Sequence, residues 1–277
     1  MQMLVYFYNK IPKSLRHKVG KAKALKSVRD LIFRNKGVFR ESIVKINRSY
    51  LEFPVEFKFV ASIKDASKAY SKGVENTLLR NSITLLKKYN KDLHDISILD
   101  IGANFGYLSL VWAKSVCKTG QVISFEPNKN VYNSLLKSIA INNLNNIQVE
   151  NLAIGNENKS VNLFFENSTT SNVIQSDISQ SLGTIQMIRI DDFIKSQKLT
   201  QCHLVKIDVD GIELDILKGS INMLNKFRPI VIVEINDDIR IVEFFIENNY
   251  QVLNGNLKEY DSNKPLPPNI YCIPKSN

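Results

Sequence analysis

Ile96-Ser97-Ile98-Leu99-Asp100-Ile101-Gly102-Ala103-Asn104-Phe105-Gly106 is the stretch whose reading decides the fold. A short apolar run ends in an acid, passes through a glycine turn and enters residues 107–117, which read as a helix. Downstream, residues 121–127 form a second strand signal stopped by Pro127, and 128–142 a second helix with an N-cap residue at its start. Residues 147–154, 161–165 and 185–190 read as strands, with a polar loop over 166–183. A strand at 204–208, a helix bearing Leu214, Leu217, Ile221 and Leu224, a strand at 230–234, a helix at 239–247 and C-terminal strands complete the pattern. Upstream, residues 75–89 read as a helix. Strands alternating with helices predict an α/β domain: a mostly parallel sheet with helices on both faces.

In such a sheet, ligands bind at the carboxyl ends of the strands. Those ends carry Asp100 and the glycine turn, then Glu126, Asn151 to Ala153, Asp208-Val209-Asp210-Gly211 and Glu234. Gly102 permits close approach to the backbone, and Gly106 lets the next helix start near its strand. The Gly-x-x-x-Gly spacing differs from Gly-x-Gly-x-x-Gly, which disfavours a pyrophosphate and a nicotinamide-dependent oxidoreductase. Asp100 suits a cationic ligand. Glu126, about twenty residues past the glycines, suits two ribose hydroxyls. A nucleoside with a charged amino-acid tail meets both demands, and that is S-adenosyl-L-methionine.

The segments Leu99 to Tyr107, Phe125-Glu126-Pro127-Asn128 and Lys206-Ile207-Asp208-Val209-Asp210-Gly211-Ile212-Glu213, with Leu217-Lys218-Gly219, resemble the FkbM family of S-adenosylmethionine-dependent methyltransferases. Gly73-Val74-Glu75 and Ile190-Asp191-Asp192-Phe193 extend the likeness, which covers roughly residues 73–236. Position 210 is Asp where the family more often has Glu. The resemblance implies a class I methyltransferase-like (Rossmann-like) fold and O-methylation of a hydroxyl on a sugar, glycan or natural product. It places Glu75, Asp100, Gly102, Asn104, Gly106, Glu126, Asn151 and Ala153 at the cofactor.

Asp208, closing the fourth strand of the parallel series, is the first candidate for the base that takes the acceptor proton. Asp210 and Glu213 are alternatives or supports, and Lys206 is placed to hold a carboxylate or a developing alkoxide. Bland readings stand beside these: Glu213 and Asp215 stabilise a helix N-terminus, and Lys206 is a structural ion-pair partner. Asp208, Asp210 and Glu234 also form a candidate oxygen set for Mg²⁺.

Composition bounds the rest. The chain has 277 residues, 44% apolar and 23% charged, which excludes disordered, collagen-like and low-complexity classes. It contains no apolar run of about 18 residues, and its apolar start lacks the marks of a secretory signal. Cys117, Cys202 and Cys272 are odd in number and widely spaced, as are the three histidines, which fits a reducing cytoplasm and argues against a nitrogen- or sulfur-ligated metal. The net charge of +10 is unevenly spread: residues 1–72 hold 17 basic and 5 acidic residues, against 20 and 22 in 73–277. The chain therefore divides into a basic, partly helical N-terminal segment, 1–72, and a catalytic domain, 73–277. Within the segment, Ala24, Leu25, Val28, Leu31 and Ile32 recur at helical spacing opposite Lys23, Lys26 and Arg29. This basic helix fits either an accessory packing role or an anionic membrane surface at the inner face. Nucleic-acid methylation is the competing activity, but the fourth strand lacks the Asn/Asp-Pro-Pro-aromatic turn that would clamp an exocyclic amine. A non-catalytic cofactor-binding scaffold is the other alternative.

Overall fold

The computed structural model describes residues 6, 8–12, 14, 34–35, 38–90, 92–165, 172–174 and 184–275. The basic helix expected over residues 24–32 and most of the loop expected over 166–183 lie outside them. In chain order the elements are β1 (Arg34–Asn35), β2 (Val38–Phe39), β3 (Glu41–Tyr50), β4 (Phe53–Ser62), α1 (Ile63–Lys72) and α2 (Asn76–Tyr89). The α/β series follows: β5 (Ser97–Ile101), α3 (Tyr107–Lys114), β6 (Gln121–Phe125), α4 (Lys129–Ile141), β7 (Ile147–Glu150), β8 (Ala153–Gly155), β9 (Lys159–Phe165), β10 (Asn172–Ile174), β11 (Thr184–Arg189) and α5 (Ile190–Gln197). The last elements are β12 (Leu204–Ile207), α6 (Glu213–Lys218), α7 (Ile221–Phe227), β13 (Ile230–Glu234), α8 (Ile239–Glu247), β14 (Tyr250–Leu253) and β15 (Asn269–Pro274).

The main sheet has the order β14-β15-β13-β12-β5-β6-β7. Neighbours from β13 to β7 are parallel, and β15 runs antiparallel between β13 and β14. Its strands are apolar on both faces because both faces are covered. Ile98, Leu204, Ile230 and Ile232 enter one core with α2, α3 and the β3–β4 hairpin. Leu99, Ile101, Val205, Ile207, Val231 and Val233 enter the other with α5 to α8. The period-2 alternation of the strands thus sorts each sequence into two cores. Among the described residues no helix is long and apolar enough to cross a membrane.

Several local expectations change. Residues 41–62 form a ten-residue-per-strand hairpin inside the segment that the charge pattern set apart. Its Val44, Ile46, Val55, Phe57 and Phe59 are buried in the same core as α2 and α3, while Lys45, Asn47, Glu56 and Lys58 face outward. Residues 147–154 are two strands: β7 extends the main sheet, and β8 pairs with β11 in a second sheet of order β10-β9-β11-β8. Asn151 marks the break, where its amide donates to the carbonyls of Glu126 and Pro127 at 2.9 Å and so cannot continue a strand face. The single helix expected over Leu214 to Leu224 is divided into α6 and α7. Ile190 starts α5 and does not end a strand.

Candidate active site

The chain runs from β5 outward to β6 and β7, then returns on the other side of β5 to β12. That reversal is a topological switch point, where open α/β sheets bind ligands. A cavity of about 350 Å³ lies there, over the ends of β5, β6 and β12, and α1 and the turn before α2 wall it from the opposite side.

At its floor, Asp100 and Lys206 are register neighbours on β5 and β12, on the same face of the sheet. Asp100 is fully buried. Its Oδ2 accepts a hydrogen bond from Ser109 of α3, whose hydroxyl accepts in turn from Ser124 at 2.9 Å. Its Oδ1 has no hydrogen bond, only the Lys206 ammonium 3.5 Å away. Burial pushes the Asp100 carboxyl above its ordinary range, against the pull of Lys206 and Ser109. Lys206 Nζ donates to the Gly102 carbonyl at 2.9 Å and lies 3.3 Å from Asp208 Oδ2. Burial disfavours its charge, but Asp208 and Asp100 outweigh that and hold it above the usual lysine value. Lys206 is therefore a committed cation bridging the ends of two strands.

The Asp208 carboxyl is pushed up by burial, yet Lys206 and a hydrogen bond with Glu234 outweigh this and hold it low. Its side chain remains 42% exposed toward the cavity. Glu234 moves the other way, to about 8, through that same hydrogen bond, burial and the Asp208 charge.

Glu126 ends β6 and is 3% exposed. Its Oε2 accepts from the Asn104 amide at 2.9 Å and its Oε1 from the Asn128 amide at 2.8 Å. Burial raises its carboxyl to about 7 against those two donors. The backbone thus fixes the carboxylate in place, and each oxygen keeps a lone pair for a further donor.

The glycine turn is required by packing. Gly102 has φ +75°, and a Cβ there would lie 2.0 Å from the Asp208 carbonyl oxygen. The space freed by the missing side chain is filled by the β12 loop, which locks Asp208 against β5. Gly106 has φ +76°, and a Cβ would meet Leu135 of α4 at 2.1 Å.

Among the residues singled out from sequence, Asp100, Gly102, Asn104, Glu126 and Ala153 line the cavity on the β5–β6 side. Glu75, Lys206, Asp208 and Asp210 line it elsewhere. Gly106, Asn151 and Glu213 are not on its wall. Glu213 is buried and accepts from the Gly211 amide at 3.2 Å and the Asn236 amide group at 2.9 Å, so it shapes the loop that carries Asp208. Asp208, Asp210 and Glu234, weighed as Mg²⁺ ligands, do not form a metal-holding group: among the described residues no three His, Cys, Asp or Glu side chains do. Sequence reading missed the wall made by Phe59, Lys64, Asp65 and Lys68. The only signal for it was the four-residue spacing of Lys64 and Lys68, which puts both on one helix face.

The strand order and the two covered faces define a class I methyltransferase-like, Rossmann-like fold. The chain belongs to the FkbM methyltransferase family: the Methyltransferase FkbM domain matches residues 100–252, more than half of it. It is 30% identical over 144 residues to the hexuronic acid methyltransferase AglP of Haloferax volcanii, covering 51% of this chain and 56% of that protein. It is 25% identical over 146 residues to Methyltransferase 1 of Beauveria bassiana, covering 45% of this chain and 58% of that one. The chain thus spans about half the length of the curated relatives it matches. Against the crystal structure of a methyltransferase FkbM from Methylobacillus flagellatus it has a TM-score of 0.45 at 16% identity, over 76% of this chain and 55% of the other.

Proposed function

We propose that the chain transfers a methyl group from S-adenosyl-L-methionine to a hydroxyl of a sugar, glycan or natural product. The observation that carries this reading is the pair of buried carboxylates, Asp100 and Glu126, at the ends of adjacent strands on one cavity, with Asp208 across from them. The family membership and the likeness to a hexuronic acid methyltransferase support it.

The residues present fit that cofactor. The Asp100 Oδ1 atom, buried without a hydrogen bond and 3.5 Å from the Lys206 ammonium, keeps an acceptor position for a donor on the cofactor's amino-acid tail. The backbone-fixed Glu126 accepts from ribose hydroxyls. Leu152, Ala153 and Ile154 offer an apolar wall for a base. Bound there, S-adenosyl-L-methionine supplies a methyl group already activated by a sulfonium. The protein's task is alignment, which is worth about 7–11 kcal/mol. Asp208 accepts the proton of the acceptor hydroxyl as the new oxygen–carbon bond forms and the sulfur–carbon bond breaks. Lys206 holds the Asp208 carboxylate while that proton arrives.

The test is a transfer assay with isotopically labelled cofactor against glycan and small-molecule fractions, followed by mass spectrometry of the product. The expected product carries an O-methyl group. Methyl transfer to a nucleobase nitrogen, or an absence of cofactor binding by calorimetry, overturns the reading.

A further inference from the structure

The wall that α1 adds to the cavity lies outside residues 100–252, so the matched domain does not supply it. α1 buries Ile63, Ala66 and Ala69 against the hairpin. It is fixed at both ends. Ser62 caps its start by accepting from the Asp65 amide at 3.2 Å, and Arg48 of β3 donates to the carbonyls of Ala69 and Tyr70 at 3.3 and 3.0 Å. Lys64 and Lys68 therefore stand on a rigid element, one turn apart, exposed and facing the cavity mouth.

The charges around that mouth sort into engaged and available groups. Lys206 is committed to Asp100, Asp208 and the Gly102 carbonyl. Asp65 is engaged by the Ser62 hydroxyl. Lys64 and Lys68 make no ion pair among the described residues, and Lys68 is close enough for its charge to lower the Asp208 carboxyl. Lys64 and Lys68 line the same cavity as Asp208. Glu75, Asp208 and Asp210 would repel an approaching anion unless cations stood beside them.

We infer that the acceptor carries an anionic group, a carboxylate or a phosphate, and that Lys64 and Lys68 hold it at the cavity mouth so that its hydroxyl faces Asp208. This rests on the methyl-transfer reading and names the acceptor class for it. The two ammoniums bind and orient the acceptor; Asp208 alone takes its proton.

The experiment uses the full chain with labelled cofactor and two matched acceptor pairs. One is a uronic-acid-containing oligosaccharide with its carboxyl-reduced counterpart, and the other a sugar phosphate with its dephosphorylated form. One anionic member should be methylated with a kcat/KM at least about tenfold above its neutral partner, the worth of one charge-assisted contact. Lys64→Gln with Lys68→Gln should raise KM for that acceptor by about tenfold or more and leave kcat within a few-fold. Cofactor affinity and melting temperature should not move. Equal rates on the neutral partner overturn the inference. So does a loss of cofactor affinity in the double variant, which would assign the lysines to the cofactor carboxylate. Cofactor binding with no transfer to any of the four acceptors also overturns it, whereas absent cofactor binding fails the methyl-transfer reading itself.

Discussion

Asp208 and Glu234 close neighbouring parallel strands, abreast of one another by the pairing of Ile207 with Val233, and their carboxyl groups are hydrogen-bonded. Two carboxyl groups in that contact hold one proton between them, because two ionised oxygens repel. Lys206 stabilises the charge on Asp208, and Glu213 adds to the pressure keeping Glu234 protonated. The proton therefore rests on Glu234, which donates to the Asp208 carboxylate. The pair titrates as a unit.

The ionisation of Glu234 near pH 8 should accordingly appear as an inflection in the pH profile of kcat. Glu234→Gln keeps a donor to Asp208 and cannot ionise, so it should retain turnover near neutrality and lose that inflection. Superimposable profiles for the two proteins would remove Glu234 from any link to Asp208.

Asp208→Asn nearly preserves shape and deletes the charge. It should leave cofactor affinity within a few-fold and lower turnover by roughly 10²-fold or more, the scale of lost general-base help. If affinity falls as much as turnover, Asp208 belongs to the cofactor's pocket. Wild-type turnover would leave it as a structural partner of Lys206 and Glu234.

For Glu126, truncation to Ala removes the acceptor of two backbone amides and, in the proposed cofactor-binding role, of the ribose hydroxyls. Cofactor binding measured by calorimetry should weaken by about 1–3 kcal/mol. Unchanged affinity would detach Glu126 from the ribose.

Stability of the ligand-free protein should depend on pH through the same residue. Its carboxyl is raised from an ordinary 4.5 to about 7 by burial, so the folded chain holds a proton that the unfolded chain has released. Between those values stability falls as pH rises, with a ceiling of roughly 3 kcal/mol from this group. Melting temperatures of the wild type should decline from pH 5 to pH 8, and Glu126→Gln should show a shallower decline. Parallel curves would contradict a buried, raised carboxyl.

Much of the site could be read from strand ends. Asp100, Glu126 and Asp208 each follow an apolar run, and a parallel sheet brings such ends to one rim whatever its loops do. The hairpin was hidden for a different reason. Val55-Glu56-Phe57-Lys58-Phe59 alternates strictly, but it lies within residues 1–72, whose charge excess set the whole segment apart although the hairpin itself balances Lys45, Arg48 and Lys58 with Glu41, Glu52 and Glu56. The alternation was the stronger physical signal, since each apolar residue there is buried. The division of residues 147–154 had no local marker, because Asn151 turns the chain through bonds to Glu126 and Pro127, which are remote in sequence. The pairing of Asp208 with Glu234 likewise depends on strand order, which one-dimensional pattern does not contain.

The hairpin has an outer edge, and exposed strand edges are templates for pairing with other chains. Here α4 occupies it. Ser138 accepts from the Val60 amide at 2.9 Å, and Asn142 accepts from the Lys58 amide at 2.8 Å while donating to the Lys58 carbonyl at 2.6 Å. These side chains do the work of an absent neighbouring strand. Replacing Ser138 and Asn142 by alanine would leave the β4 backbone open to pairing with another molecule, so the expected failure of that variant is self-association through β4, with the rest of the fold intact.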